Sequence, residues 1–380
     1  MYNNIKKTIM QIKKITILNN KCYNIFVVSK KMNIKRKLIS TAIFILLFFL
    51  AYYFVFRDYS ITEFQQTLSK CNGLYIVVAM LCVGLWVFLE AYFFKYIFRK
   101  LKYKISWHQA IGYVFTETYF SAITPSSTGG QPVQMVEMNK DKIPYRISSI
   151  VVIVNTLLYK IALLVIVLLG FLIFYSDIKT LTPAFRGFAL LGFIITSLLV
   201  ALFLCLLFSK KFIMKLVNFG YGILWKLRIK KKDDQSQKKL EASIDEYRNV
   251  AKYIKKDKKT ILKAFLIIFG QRLSLLLVNY FIYKSFNINN ISVLFAITIQ
   301  AYLTIAADFI PVPGGVIISE ALLIETNVVL GITDIAKGAT LVFRNISFYF
   351  LVLVSLVYYM IFHYAKRKPA EKIEEEIKET

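Results

Sequence analysis

Three cationic side chains stand inside otherwise uncharged, strongly apolar stretches of the sequence. Lys160 lies in NTLLYKIALLV, Arg272 in IIFGQRLSLLL and Arg344 in TLVFRNISFY. A charge at the centre of a bilayer costs about 3 kcal/mol on insertion scales, so such a side chain usually faces a partner or a water-filled cavity. Each cation therefore pairs with a buried carboxylate, extends toward the membrane surface, or binds an anionic group such as a phosphate.

Carboxylates occur in comparable surroundings. The candidate partners of the three cations are Glu90, Glu117, Glu137, Asp308, Glu320 and Glu325. Three cations and several carboxylates in one helical bundle suit a zwitterionic or cationic lipid headgroup together with its phosphate. We expect the cations to contact the phosphate, and Glu137, Asp308 and Glu320 to contact an ammonium group. This pattern predicts a binding cavity and assigns no bond-making chemistry.

Two stretches interrupt the apolar sequence in the same way, SAITPSSTGGQPVQMVEM at 121–138 and FIPVPGGVIISE at 309–320. Each places proline ahead of a glycine pair, with a carboxylate five to seven residues beyond the pair. Broken helices at corresponding places in two halves of a chain indicate a transporter's central site, since exposed N–H groups favour anions. The alternative is that proline and glycine only end helices at ordinary loops.

Composition places the chain among polytopic helical membrane proteins. It has 380 residues, of which 57% are hydrophobic and 16% aromatic. Uncharged runs such as 38–56 are long enough for a hydrocarbon core of roughly 30 Å. The predicted fold is all-α with an internal pseudo-repeat and a broken, re-entrant segment at 111–135. We predict about eight transmembrane helices, near 38–56, 74–94, 148–175, 187–208, 261–284, 291–309, 316–331 and 338–363.

The distribution of positive charge predicts the orientation in the membrane. The net charge is +27, from 49 Lys and Arg against 22 Asp and Glu. Residues 1–37 hold ten Lys or Arg and 209–260 hold sixteen, whereas 57–73 and 175–186 hold two each. Because positive loops stay in the cytoplasm, we expect a multi-pass cell-membrane protein with both termini cytoplasmic. The basic loops account for the charge through anionic lipid headgroups, so no direct nucleic-acid partner is expected.

The sequence divides into three regions. Residues 1–31 form a basic extension ahead of Met32, which resembles an ordinary start just before the first apolar run. The transmembrane domain is predicted at 32–365, with amphipathic and linker helices on the cytoplasmic side at 209–260. Residues 366–380 are a charged, solvated tail.

Few side chains of the sequence suit metal or redox chemistry. The four cysteines show no CxxC spacing, and only two histidines, His108 and His363, are present. We therefore expect no disulfide framework, no metal site and no cofactor. The sequence also contains no P-loop and no GxSxG element.

The two broken stretches resemble the signatures of the lysylphosphatidylglycerol synthase transmembrane (flippase-like) family, the membrane domain of the multiple peptide resistance factor. ITPSSTGGQPVQM, followed by NKDKIP, resembles the first signature, and PVPGGVIISEALL resembles the second. The likeness runs over roughly residues 34–365. The matching positions are Thr124, Pro125, Gly129, Gly130, Gln131, Pro132, Pro311, Pro313, Gly314, Gly315 and Glu320. Val316, Ile317 and Ile318 depart from the small residues that the family usually places after the second glycine pair.

The resemblance implies a membrane domain that binds aminoacylated phospholipid, of the lysylphosphatidylglycerol kind, and moves it between leaflets. It implies that the motif residues contact lipid, and that the protein contributes to resistance against cationic peptides. The alternative is a phosphatidylglycerol lysyltransferase that uses lysyl-tRNA, alone or with a separate acyltransferase. We expect translocation, because the sequence after the last apolar run has no room for a soluble catalytic domain. Anionic and aminoacylated phospholipids are the expected partners, and a homo-oligomer is left open.

Overall fold

The computed structural model describes residues 61–124, 127–209, 211–215, 218, 256–308, 316–333 and 335–361. The chain divides into two compact units, Met1–Tyr52 and Tyr53–Thr380, and every described residue lies in the second. All regular elements of the described residues are helices, which confirms the all-α prediction. The predicted extension 1–31, the tail 366–380 and most of 209–260 lie outside the described residues.

Besides the helical residues 211–215, the described part of the chain contains eleven helices with defined bounds. They are α1 (Ile61–Ser69), α2 (Gly73–Lys100), α3 (Trp107–Ala122), α4 (Gly130–Lys140), α5 (Tyr145–Ile173), α6 (Tyr175–Thr180), α7 (Pro183–Phe208), α8 (Lys258–Ser285), α9 (Val293–Asp308), α10 (Val316–Val329) and α11 (Ala336–Ile361). One π-helical turn, Asn345–Tyr349, interrupts α11.

Five of these helices are long and apolar enough to cross a membrane, namely α2, α5, α7, α8 and α11. They contain 26 to 29 residues, which corresponds to about 39–44 Å at 1.5 Å per residue. These helices confirm the predictions near 74–94, 148–175, 187–208, 261–284 and 338–363. The helix predicted at 38–56 lies outside the described residues.

The helices α9 and α10 are shorter than a membrane span. With 16 and 14 residues they extend about 24 and 21 Å, against a hydrocarbon core of roughly 30 Å. The helices predicted near 291–309 and 316–331 are thus present as α9 and α10, but neither crosses alone along the membrane normal. The described residues therefore do not confirm eight crossings.

The broken segment 111–135 forms a helical hairpin. Its two arms, α3 and α4, are antiparallel, since the Gln134 side chain donates to the Tyr113 carbonyl at 3.1 Å and Gly130 lies against Ser121. The Tyr113 hydroxyl donates to Asp141 beyond the end of α4 at 2.6 Å. With 16 and 11 residues, each arm is too short to cross a bilayer, as expected of a re-entrant segment.

The helices follow the same order of lengths twice. The first series, α2 to α5, has 28, 16, 11 and 29 residues. The second series, α8 to α11, has 28, 16, 14 and 26 residues. The leading helices of the two series, α2 and α8, pack along each other in the most extensive helix contact of the described residues. This order supports the predicted internal pseudo-repeat.

Small residues bring α9 close to its neighbours. A side chain at Gly192 on α7 would collide with the backbone carbonyl of Ile305, and one at Gly170 on α5 would collide with Thr298. Close backbone approach through small residues is the usual way in which membrane helices pack. The two glycines thereby fix α9, whose last residue is Asp308.

Polar side chains cap the start of two of the long helices, α2 and α8. The Asn72 side chain accepts from the N–H of Leu74 at the start of α2, at 3.0 Å. Asp257 precedes α8 and accepts from the Thr260 N–H at 3.0 Å and from the Thr260 hydroxyl at 2.6 Å. These bonds satisfy N–H groups that a helix start leaves unpaired. The same Thr260 hydrogen bonds hold the pKa of Asp257 below its usual value.

Candidate functional site

A cavity of about 240 Å³ lies between α5, α8, α9, α10 and α11. We call it the central cavity. Its apolar wall includes Leu163, Leu276 and Leu303. Its polar wall is formed by Tyr159, Arg272, Gln300, Thr304, Asp308, Ser319, Arg344 and Ser347. The structure therefore brings two of the three predicted cations and one predicted carboxylate to the same space.

The third predicted cation pairs with that carboxylate. Lys160 Nζ lies 2.7 Å from Asp308 Oδ2, and the hydroxyl of Tyr159 donates to the same oxygen at 2.6 Å. The side chains of Lys160 and Asp308 are 10% and 28% exposed. Two consecutive residues of α5 thus hold the C-terminal end of α9 through one carboxylate, whose charge an ammonium already balances.

Arg272 on α8 has a different environment. Its guanidinium carbon lies 3.7 Å from the centre of the Tyr159 ring, in a cation–π contact. Its Nε is buried without a hydrogen-bond partner among the described residues, and no carboxylate of those residues lies within ion-pairing distance. A guanidinium held by an aromatic ring and facing a cavity is well placed to bind a phosphate or carboxylate.

Arg344 and Glu320 form the second ion pair beside the cavity. Arg344 Nε donates to Glu320 Oε1 at 3.2 Å, and the hydroxyl of Tyr349 donates to the same oxygen at 2.7 Å. Glu320 on α10 is fully buried, and both donors belong to α11, where the π-helical turn Asn345–Tyr349 separates them. The pair links a short helix to a long one.

The wall of the central cavity carries charged side chains and unsatisfied polar atoms. Its charged residues are Arg272, Asp308 and Arg344, of which Asp308 pairs with Lys160 and Arg344 with Glu320. The acceptor Gln300 Oε1 in its wall, and Glu320 Oε2 beside the lining residue Arg344, are buried without a hydrogen-bond partner among the described residues. Buried polar atoms are normally paired, so these groups favour a polar ligand in this space.

Glu90, one of the carboxylates that the sequence offered as partners of the cations, is buried near Arg272. Glu90 on α2 accepts from the side-chain amides of Asn155 at 2.5 Å and of Gln271 at 2.6 Å. Arg272 also interacts electrostatically with Glu90 and with Glu117. Sequence reasoning missed the two amides, Tyr159 and Gln300, although amide side chains inside apolar runs were a usable signal.

The first broken motif stabilises its own turn. The hydroxyl of Thr124 donates to the Phe120 carbonyl at 2.7 Å and accepts from the Gly129 N–H at 2.9 Å. A side chain at Gly130 would collide with Ser121 on α3. Pro125 lies outside the described residues. Lipid contact by these motif residues stays a prediction, and the contacts described here are within the hairpin.

Gln131 and Glu137, both on α4, lie apart from the central cavity wall. Gln131 Nε2 donates to the Thr156 hydroxyl on α5 at 2.7 Å. Glu137 is buried, and Lys140 Nζ lies 2.6 Å from its Oε1. The hairpin is thus tied to α5 one turn before Lys160, while Glu137 lies close to a lysine of its own helix.

The second broken motif falls between two described helices. Pro311, Pro313, Gly314 and Gly315 lie outside the described residues. The helix before them ends at Asp308 and the helix after them begins at Val316. The motif therefore connects the short helix that ends at Asp308 to the short helix that carries Glu320.

A metal centre is not formed by the described residues. Within the described ranges, no group of three or more His, Cys, Asp or Glu side chains could hold a metal ion. The groups available for ligand binding are the guanidinium of Arg272, the paired charges and the amides. Such groups can bind a charged polar ligand.

The comparison with protein families gives one result. The model of the lysylphosphatidylglycerol synthase TM region matches residues 37–355, which is most of the chain. The matched range includes the residues that line the central cavity. No curated protein matches the sequence.

Proposed function

The chain belongs to the lysylphosphatidylglycerol synthase transmembrane family, and we propose that it binds an aminoacylated phospholipid and moves it between membrane leaflets. The lipid class we propose is lysylphosphatidylglycerol, held by its headgroup in the central cavity. Cationic lipid in the outer leaflet lowers the negative surface charge that attracts basic peptides. The proposal thus includes a contribution to cationic peptide resistance.

The environment of Arg272 is the observation that most directly supports this proposal. Arg272 faces the central cavity, its guanidinium carbon lies over the Tyr159 ring, and no carboxylate of the described residues forms an ion pair with it. A phosphodiester carries one negative charge, and the guanidinium of Arg272 in the cavity wall complements it. In this proposal Arg272 is the first phosphate ligand, and Arg344 is the second cation of the wall.

The ion pair between Lys160 and Asp308 supports recognition of the lysyl group. The Lys160 ammonium lies 2.7 Å from a carboxylate of the cavity wall, and a lysyl ammonium of the lipid has the same chemistry. We propose that the lipid ammonium competes with Lys160 for Asp308, and that the unpaired oxygen of Glu320 is a further acceptor. A ligand that replaces one ammonium by another avoids leaving a buried charge unpaired.

The repeated helix order supports movement of the bound lipid. Transporters built from internal repeats place their substrate where broken helices meet, and one repeat rocks against the other. Here α9 and α10 are the short helices of the second series, and both contribute to the cavity wall. We propose that the second series changes its position relative to the first when the headgroup passes.

The proposal is tested with purified protein in liposomes that contain lysylphosphatidylglycerol. A membrane-impermeant amine reagent measures how fast the lysyl group reaches the outer leaflet. The variant Arg272→Gln should lower this rate at least about 10-fold, because a hydrogen bond to a charged group contributes about 1.5–3 kcal/mol. Arg99→Gln, at an exposed arginine in the last turn of α2, is the matched control. Equal rates for Arg272→Gln and wild type would contradict the proposal.

The family name favours a second candidate function, lysyl transfer to phosphatidylglycerol. The same liposomes, prepared with phosphatidylglycerol and supplied with lysyl-tRNA, distinguish the two. Translocation without synthesis predicts no lipid-linked lysine unless a separate acyltransferase is added. Formation of lysylphosphatidylglycerol by the purified chain alone would favour the transferase.

A further inference from the structure

A second cavity, of about 450 Å³, lies between α5, α6 and α7. We call it the lateral groove. None of the residues that line it lines the central cavity. Its floor consists of the buried side chains of Val167, Ile178, Phe185, Ala189 and Tyr302. Its volume falls within the roughly 300–1,000 Å³ of small-molecule sites.

The lateral groove is long and apolar. It follows α5 from Val167 to Phe171, which is roughly 6 Å, passes Tyr175 on α6, and follows α7 from Phe185 to Phe193, which is roughly 12 Å. Its walls are the exposed side chains of Leu168, Phe171 and Leu190. Since these residues belong to helices long and apolar enough to cross a membrane, the groove opens toward the hydrocarbon region. This shape fits an alkyl chain.

Two cations lie at one end of the lateral groove, where α5 and α7 approach their connection. Lys179 Nζ lies 4.4 Å from the centre of the Tyr175 ring, and Arg186 is exposed on the first turn of α7. Neither pairs with a carboxylate among the described residues. Asp177 on α6 offsets one of the two charges, which leaves a positive end.

We propose that the lateral groove binds one acyl chain of an anionic phospholipid, whose phosphate contacts Lys179 and Arg186. The apolar part alone fits an alkyl chain of any lipid, so the selectivity comes from the two cations. A neutral lipid would gain less from them, and a free phosphate would leave the apolar floor unused. Binding of a lipid in the lateral groove does not require the translocation proposed for the central cavity.

The experiment uses native mass spectrometry of the full-length protein in detergent. Phosphatidylglycerol and phosphatidylcholine with identical acyl chains are offered at equal concentration. Wild type should retain phosphatidylglycerol several-fold more than phosphatidylcholine, and Lys179→Gln/Arg186→Gln should remove this preference. Lys284→Gln, at a lysine in the last turn of α8 outside the groove, should keep it. Equal retention of both lipids by wild type indicates bulk lipid only and overturns the proposal.

A second measurement locates the lipid. Phosphatidylglycerol with a photoreactive group in its acyl chain should crosslink to residues of the groove, such as Leu190 and Phe193. The crosslink should decrease several-fold in Ala189→Phe, which fills the floor, and should persist in Arg272→Gln. Crosslinks spread evenly over all exposed helices, or confined to the central cavity, would contradict the proposal whether or not Ala189→Phe folds.

Discussion

Lys160 Nζ and Asp308 Oδ2 are 2.7 Å apart, although 148 residues separate them in the sequence. The ammonium belongs to α5 in the first helix series, and the carboxylate ends α9 in the second. The ion pair therefore joins the two series beside the central cavity. A ligand that competes for Asp308 would loosen this connection between the two halves of the bundle.

Removing one charge of this ion pair should lower the stability of the protein more than removing both charges. In Asp308→Asn, the largely buried Lys160 loses its counter-ion, and we expect a loss of roughly 3–5 kcal/mol of stability. The double variant Lys160→Met/Asp308→Asn should regain part of this loss, because no unpaired charge remains. Thermal unfolding in detergent measures both. Additive effects of the two single substitutions would show that the pair is not coupled.

A lysine at position 272 should not preserve the function of Arg272. The planar guanidinium lies on the Tyr159 ring and can form two parallel hydrogen bonds to a phosphate, which a lysine ammonium cannot do. We expect Arg272→Lys to lose most of the lysylphosphatidylglycerol translocation that wild type shows in liposomes. Tyr159→Phe keeps the ring and should retain more activity than Tyr159→Leu. If the lysine variant matched wild type, a point charge would be sufficient.

The carboxylate charge of Glu320 should contribute more to stability than the hydrogen bond that the Tyr349 hydroxyl donates to it. Glu320→Gln removes the counter-ion of the mostly buried Arg344 and should lower stability by roughly 3–5 kcal/mol. Tyr349→Phe removes one hydrogen bond to the charged oxygen and should cost about 1.5–3 kcal/mol. The order of the two unfolding temperatures in detergent checks this. A larger effect of Tyr349→Phe would assign the main role to the hydroxyl.

The two arms of the hairpin should separate when Gly130 carries a side chain. A Cβ there would meet Ser121 and the carbonyl of Glu117, and overpacking of this kind costs typically about 1–3 kcal/mol. Gly84→Ala is the matched control, since a Cβ at this exposed position of α2 meets no atom within 4 Å. That substitution should be neutral or stabilising. Thermal unfolding compares the two variants, and an equal loss in both would contradict this role of Gly130.

Much of the fold could be predicted because hydropathy is locally encoded. The apolar runs located all five long helices, and the Pro/Gly breaks located both pairs of short ones. The ends of the helices were less predictable than their centres. The helix expected at 74–94 continues to Lys100, because Tyr96, Ile97 and Phe98 are buried although Lys95 follows the predicted span.

The site could be predicted only as a set of candidates. The charged residues inside apolar runs are visible in the sequence, but their pairing depends on which helices face each other. Three cations and six carboxylates allow many combinations, and nothing local selects Asp308 for Lys160 or Glu320 for Arg344. The ring of Tyr159 could not be recognised, because aromatic residues are frequent in this chain.

The π-helical turn Asn345–Tyr349 determines the direction in which the side chains of α11 beyond it point. Residues five apart in a regular α-helix point about 140° away from each other. Bonding of the i to i+5 kind widens one turn, so Arg344 and Tyr349 can reach the same oxygen of Glu320. Deleting Ser347 would restore a regular helix and rotate everything beyond it by about one residue, or 100°. The single additional residue thus rotates the second half of α11 by about 100° relative to the first half, so that Tyr349 as well as Arg344 faces Glu320.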